Sequence, residues 1–260
     1  MQIKRVAVAV LVLPIVYLYI MRLSAFYFAF FVFAVSFIAY FEFLSMYKVR
    51  KLYAALFSLF GVIAMSYMFF RSNSPYNTHL LSCIFLGAAS VRLFAVNDTN
   101  NALRDIGVYL IGFLYIPMLM IFFLKLRLIG AEVIIYFLAV MWGADSFALY
   151  MGKFFGKHKL YEAVSPNKTI EGAVAALLGG IAISMILGRL LDLQLSYSKL
   201  FINGLVLSAA GIIGDLAESM FKRDAGVKDS SAIIPGHGGI LDKIDGMLFA
   251  SPILYILLKT

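Results

Sequence analysis

Charge is what this sequence has least of: only 14% of its 260 residues are charged, whereas 63% are hydrophobic. A water-soluble globule of this length would have too little polar material to cover its surface. Cysteine is almost absent too. Cys83 stands alone, which excludes an intrachain disulfide and any disulfide framework. There are no ten-residue segments of alternating hydrophobicity, so a membrane β-barrel is excluded in practice. There is no clear internal repeat, and the polar residues gather at one face, which argues against a transporter. Finally, no small-x-small cleavage site follows the first apolar run. Met21-Arg22-Leu23-Ser24-Ala25 leads straight into the next run, so the positive start Met1-Gln2-Ile3-Lys4-Arg5 reads as the flank of an uncleaved anchor.

Long apolar runs are what the chain does have. A bilayer's hydrocarbon is roughly 30 Å thick and a helix rises about 1.5 Å per residue, so each span takes about 17 to 25 mostly apolar residues. Runs near 5–21, 25–46, 52–70, 79–96, 106–124, 128–150, 171–192, 198–221 and 243–258 predict about nine transmembrane helices. The expected fold is an all-α, polytopic integral membrane protein. It divides into N-terminal transmembrane helices over 1–127 and a C-terminal transmembrane region with polar motif loops over 128–260.

With nine spans, fourteen of the 22 Lys and Arg lie on the side of the N-terminus and seven on the other, with Arg92 inside a span. Positive loops stay cytoplasmic, so the N-terminus is expected inside a cell membrane and the C-terminus outside. The two longest polar stretches, 152–170 and 222–242, both fall inside. The seventh and eighth spans, as a hairpin, can bring them together. The net charge of +8 fits loop retention and attraction to anionic headgroups, and is not read as nucleic-acid binding.

Chemistry-bearing residues concentrate in the second stretch. Asp215, Glu218 and Lys222 share one helical face through spacings of three and four. Carboxylates at the end of an apolar helix are costly unless solvated, paired or bound to a cation. A glycine-rich segment follows, Asp224-Ala225-Gly226-Val227-Lys228-Asp229-Ser230-Ser231 and then Pro235-Gly236-His237-Gly238-Gly239, whose glycines permit close approach of backbone to a ligand. Asp242 and Asp245 then begin another helix. Hard oxygen ligands suit Mg²⁺, and Lys222, Arg223 and Lys228 suit phosphates, so the set points to a magnesium-bound polyphosphate. A solvated cytoplasmic loop with charged helix ends is the competing reading. The stretch 152–170 adds Asp145 before it, Lys157 and Lys159 within it, and Ser165, Lys168 and Thr169 as further phosphate contacts, with Thr169 and Glu171 equally able to start a helix. His79 and His158 read as loop or interface histidines. Asn97-Asp98-Thr99 and Asn167-Lys168-Thr169 match the glycosylation pattern but face the cytosol. Glu42 and Arg92 lie inside apolar spans, and nothing in the sequence connects them.

Ser219-Met220-Phe221-Lys222-Arg223, Lys228-Asp229-Ser230 and Pro235-Gly236-His237-Gly238-Gly239-Ile240-Leu241-Asp242-Lys243-Ile244-Asp245 together resemble the signature of phosphatidate cytidylyltransferases, also called CDP-diacylglycerol synthases. The pattern is long and specific, and Asp145 with segment 165–172 resembles a second motif region. Lys243 stands where the family usually has Arg, which keeps the charge but loses the planar fork. The likeness is strong over 140–250 and rests on span number and general character before that.

The resemblance implies transfer of CMP from CTP to phosphatidic acid, with Mg²⁺. Asp215, Asp242 and Asp245 would hold the metal, with Glu218 a further ligand and Asp229 a ligand or a lysine-orienting partner. A second cation would reduce repulsion between the anionic substrates. Lys222, Arg223 and Lys228 would bind the triphosphate. His237 would donate to a phosphate or order the loop. Asp145, Ser165, Lys168, Thr169, Gly238, Gly239 and Lys243 would contact substrate. The resemblance also allows a homodimer. A CTP-using relative acting on another lipid, such as a kinase of isoprenoid alcohols, is the nearest alternative.

Overall fold

The computed structural model describes residues 18–96, 98–233 and 238–259. The expected first span falls mostly outside these residues, with helical backbone at 18–22. Among the described residues nine helices follow: α1 (Ala25–Met46), α2 (Lys51–Phe70), α3 (Asn77–Ala95), α4 (Ala102–Tyr115), α5 (Pro117–Ile129), α6 (Ala131–Phe155), α7 (Ile170–Leu190), α8 (Tyr197–Asp224) and α9 (Leu241–Lys259). Between α6 and α7 a short antiparallel hairpin, β1 (Lys159–Tyr161) and β2 (Ser165–Thr169), is the one departure from an all-α fold among the described residues.

Seven segments are long and apolar enough to cross a bilayer, counting 102–129 as one. The fifth span is thus two helices. Pro117 has no N–H to continue α4, and the chain bends at Ile116 before α5 begins. α9 lies outside that count; it carries Asp242, Lys243 and Asp245 near its start and is apolar beyond them. Large apolar side chains such as Phe26, Phe30, Leu86 and Phe94 point outward, as a lipid-facing surface requires. The protein is a polytopic helical membrane protein.

In lipid, helices associate through close packing of small residues and through interhelical hydrogen bonds. Both devices operate in the C-terminal half. Ser184 of α7 donates to the Leu200 carbonyl of α8 and accepts from Tyr136 of α6, which ties three helices through one hydroxyl. α8 and α9 meet through glycine. A Cβ on Gly214 would sit 2.8 Å from the Asp245 carbonyl oxygen and 2.9 Å from Gly246 Cα. This contact sets Asp215 beside Asp245. Gly214→Ala is therefore expected to force the two helices apart and cost about 1–3 kcal/mol, as overpacking does. The check is the thermal unfolding midpoint in detergent; an unchanged midpoint would mean the helices part freely.

The N-terminal helices are not a separate raft. α9 packs against α8, α5, α1 and α6, and Tyr40 of α1 donates to the Tyr109 carbonyl of α4 at 2.7 Å. Arg104, at the start of α4, reaches Asp224 at the end of α8, and Tyr47, just past α1, donates to the Phe221 carbonyl. These contacts gather the ends of α1 and α8 and the starts of α4 and α9 at one end of the bundle.

Candidate active site

Lys222 stands at the centre of that end. α8 carries it one turn beyond Glu218, and the spacing of four lets the side chains ion-pair. On the other side its Nζ lies 2.6 Å from Asp242 Oδ1. Glu218 is fully buried, and apart from Lys222 neither of its carboxylate oxygens has a hydrogen-bond partner among the described residues. One ammonium thus balances two carboxylates.

The second oxygen of Asp242 accepts from Ser230 N at 3.0 Å, Ser230 Oγ at 2.8 Å and Gly239 N at 2.7 Å. These bonds fold the glycine-rich loop back onto the start of α9. Gly238 turns with φ +84°, and a Cβ there would come 2.5 Å from Asp242 Oδ2, so conformation and space both call for glycine. The room at Gly239 is taken by Ser230 and by Glu42 of α1. Both glycines, read from sequence as leaving room for a ligand, make room for carboxylates.

The other polar stretch is held by its own hydrogen bonds. Glu171 accepts from the backbone of Lys157 and His158 and bonds His158 Nδ1 at 2.7 Å. Thr169 Oγ1 caps α7 by accepting from Gly172 N at 3.2 Å. Lys168, one residue before the cap, reaches across to α8 and ion-pairs with Asp215.

Two cavities meet at Asp145 and Asp215. The smaller, about 530 Å³, is bordered also by Ser165, Asn167, Lys168, Thr169 and Lys153. The larger, about 890 Å³, has Asp145, Asp215, Lys222, Asp242, Lys243 and Asp245 along one part of its wall. The rest is apolar, from α1, α5 and α6, and includes Phe28, Phe31, Val32, Met120, Phe123 and Trp142. Of these, Phe31 and Trp142 are also exposed. The larger cavity is therefore acidic at one side and apolar at another.

Among the described residues no three His, Cys, Asp or Glu side chains are grouped to hold a metal ion by themselves. The quartet expected from sequence is divided. Glu218 and Asp242 are engaged with Lys222, Asp215 faces Lys168, and Asp245 borders the larger cavity. What remains suits Mg²⁺, which usually takes one or two carboxylates and completes its shell with water and substrate phosphate. Asp145 and Asp245 border the larger cavity without an ion-pair partner among the described residues, and Asp215 borders both cavities.

The cations are divided as well. Arg223 turns away and donates to the carbonyls of Val164 and Val227, which fastens α8 to the hairpin turn and to its own C-terminal loop. Lys228 and Asp229 are exposed, and neither borders either cavity. Lys243 is exposed and borders the larger one. His237 lies outside the described residues. Glu42, which no spacing connected to the motif, accepts from Ser231 Oγ at 2.6 Å, Ile240 N at 3.0 Å and Leu241 N at 2.8 Å. The only sequence signal for it was an ionisable residue inside an apolar span.

The model of the cytidylyltransferase family matches residues 3–260. A phosphatidate cytidylyltransferase of Bacillus subtilis (strain 168) is 34% identical over 256 residues, covering 94% of this chain and 93% of that protein. Similar proteins of the same name are found in Staphylococcus epidermidis (strain ATCC 35984), 38% identical over 76% of this chain and 68% of that protein, and in Staphylococcus aureus (strain COL), 37% identical over 69% of each. With the family match spanning the motif helices and loops together, the chain belongs to the cytidylyltransferase family.

Proposed function

We propose that this chain is a phosphatidate cytidylyltransferase, which transfers the CMP group of CTP to phosphatidic acid and yields CDP-diacylglycerol and pyrophosphate for phospholipid biosynthesis. The observation that carries the reading is the pair of cavities sharing Asp145 and Asp215, one bordered also by Lys153, Ser165, Lys168 and Thr169 and the other walled largely by apolar side chains. A water-soluble nucleotide and a lipid need such a junction. In this reading Ser165, Lys168 and Thr169 contact the nucleotide phosphates from the smaller cavity. The acyl chains lie along Phe31 and Trp142, and the lipid phosphate faces the carboxylate wall.

A phosphate oxygen of the lipid attacks the α-phosphorus of CTP. The new P–O bond forms as the bond to the β-phosphate bridge breaks, and pyrophosphate leaves with the electron pair. The nucleophile is already anionic near neutral pH, so alignment and charge neutralisation matter more than a strong base. Lys168, Lys222 and Lys243 supply fixed positive charge around the phosphates. Asp215 and Asp245, with Asp145 bordering the same cavity, would hold Mg²⁺. Bound there, the ion would neutralise phosphate charge. A second cation is compatible with the number of carboxylates. The excess of Lys and Arg in loops at this end supports a cytoplasmic active site and N-terminus.

Purified protein in detergent, given radiolabelled CTP and phosphatidic acid, is expected to form CDP-diacylglycerol with Mg²⁺ and to lose nearly all turnover in EDTA. Turnover of CTP with a prenyl alcohol in place of phosphatidic acid would keep the nucleotide site and overturn the lipid assignment.

A further inference from the structure

The structure assigns Glu42 as a positioning residue of the active site, contributed by the N-terminal helices nearly two hundred residues from its partners. It is buried in α1. One of its oxygens accepts from both Ser231 Oγ and Ile240 N, so a single atom joins the two ends of the motif loop. The other accepts from Leu241 N, the first residue of α9, and lies 3.3 Å from Ser230 Oγ. A carboxylate has about four lone-pair sites, and Ser231 Oγ, Ile240 N and Leu241 N fill three of them, since the one hydroxyl proton of Ser230 goes to Asp242 at 2.8 Å.

This arrangement serves more than burial of a stray charge. Leu241 N and Ile240 N are among the orphan donors of a helix start, which capping residues ordinarily satisfy from the same chain segment. Here the cap comes from another helix. It therefore fixes where α9 begins relative to α1, and α9 carries Asp242 and Asp245 in its first turn and a half. Asp242 binds the loop from the opposite side through Ser230 and Gly239. The two carboxylates act as a clamp on the loop's base. Releasing one lets Asp242 drift relative to Lys222 and lets Asp245 drift relative to the shared wall. A displacement of about 1 Å in a reacting group can cost about 10²-fold in rate.

The inference rests on the cytidylyltransferase reading for its kinetic test, and on trypsin for a test independent of it. Glu42→Gln keeps the shape but turns an amide NH₂ toward donors, so at least one N–H loses its acceptor. The expected result is a kcat for CMP transfer lowered at least about tenfold with KM for CTP changed less than about threefold, because alignment rather than binding is lost. Glu42→Asp should recover part of the kcat. Ser231→Ala, which removes a donor without stranding a charge, should lower kcat less, and its effect should shrink in the Glu42→Gln background. Tryptic cleavage after the exposed Lys228 and Lys243, which flank the loop, should accelerate at least about fivefold in Glu42→Gln as the loop opens locally.

A folded Glu42→Gln protein with wild-type kcat and wild-type cleavage overturns the assignment. So does a kcat loss that merely follows the folded fraction, with activity per folded molecule unchanged. If the wild-type protein makes no CDP-lipid, the functional reading fails, and the cleavage comparison alone decides the clamp.

Discussion

Asp245→Asn is expected to lower CDP-diacylglycerol formation by at least about 100-fold, the order seen when a preorganised electrostatic contact to a developing charge is removed. Asn matches Asp in size, so the contact of α9 with α8 at Gly214 is preserved and the protein should still insert and elute as a folded species. What changes is charge. Asp245 borders the larger cavity and has no ion-pair partner among the described residues, so its carboxylate is free to meet a cation brought with CTP. Asp242→Asn should differ in kind, because Asp242 already accepts from Lys222, Ser230 and Gly239 and its loss loosens the loop. Radiolabelled CTP turnover, with the thermal midpoint measured in parallel, separates the two. Near-normal turnover in Asp245→Asn would remove that residue from the reaction.

Lys222→Met is expected to be the most damaging single change to the fold. The methionine fills much of the same volume, but Glu218 is left fully buried with no partner among the described residues, and Asp242 loses its ion pair. Removing one partner of a buried ion pair typically costs about 3–5 kcal/mol, mostly from the stranded charge. Net stabilities are themselves only about 5–15 kcal/mol, so much of the protein should fail to fold. Adding Glu218→Gln removes one of the stranded charges and should recover part of the thermal midpoint without recovering CMP transfer. A Lys222→Met single variant with a wild-type midpoint would show that the carboxylates are solvated and that the pairing contributes little.

Much of this was readable from spacing, and the failures have physical causes. Apolar runs of bilayer length located α1, α2, α3, α6, α7 and α8, because length and composition alone decide whether a helix can cross. The break at Pro117 was not seen, since a proline inside an apolar run leaves the hydropathy high while interrupting the hydrogen bonds. The hairpin at 159–169 is too short and too polar to carry a period. Within the site, the helical face joining Asp215, Glu218 and Lys222 was legible from the 3.6-residue turn. Which cation balances which carboxylate was not, because those pairings cross between segments: Lys168 to Asp215, and Lys222 to Asp242. Arg223 adjoins Lys222 in sequence, yet one residue is about 100° around a helix, and its guanidinium serves two backbone carbonyls. Glu42 shows the limit most plainly, since its donors lie far away in the chain and no local pattern anticipates them.

The ion pair of Lys168 with Asp215 bears on the enzyme between turnovers. An acidic wall beside hydrocarbon, with no substrate in place, would be left with negative charge at the edge of a poor solvent. Lys168 gives that wall a tethered counter-ion of its own, carried on β2 just before the cap of α7. In the proposed reading, Asp215 would exchange Lys168 for the metal ion of the bound nucleotide, and the freed ammonium would be at hand for the phosphates. On that account Asp215 would keep a positive partner both before and after the substrates bind, so this carboxylate would never stand bare beside hydrocarbon.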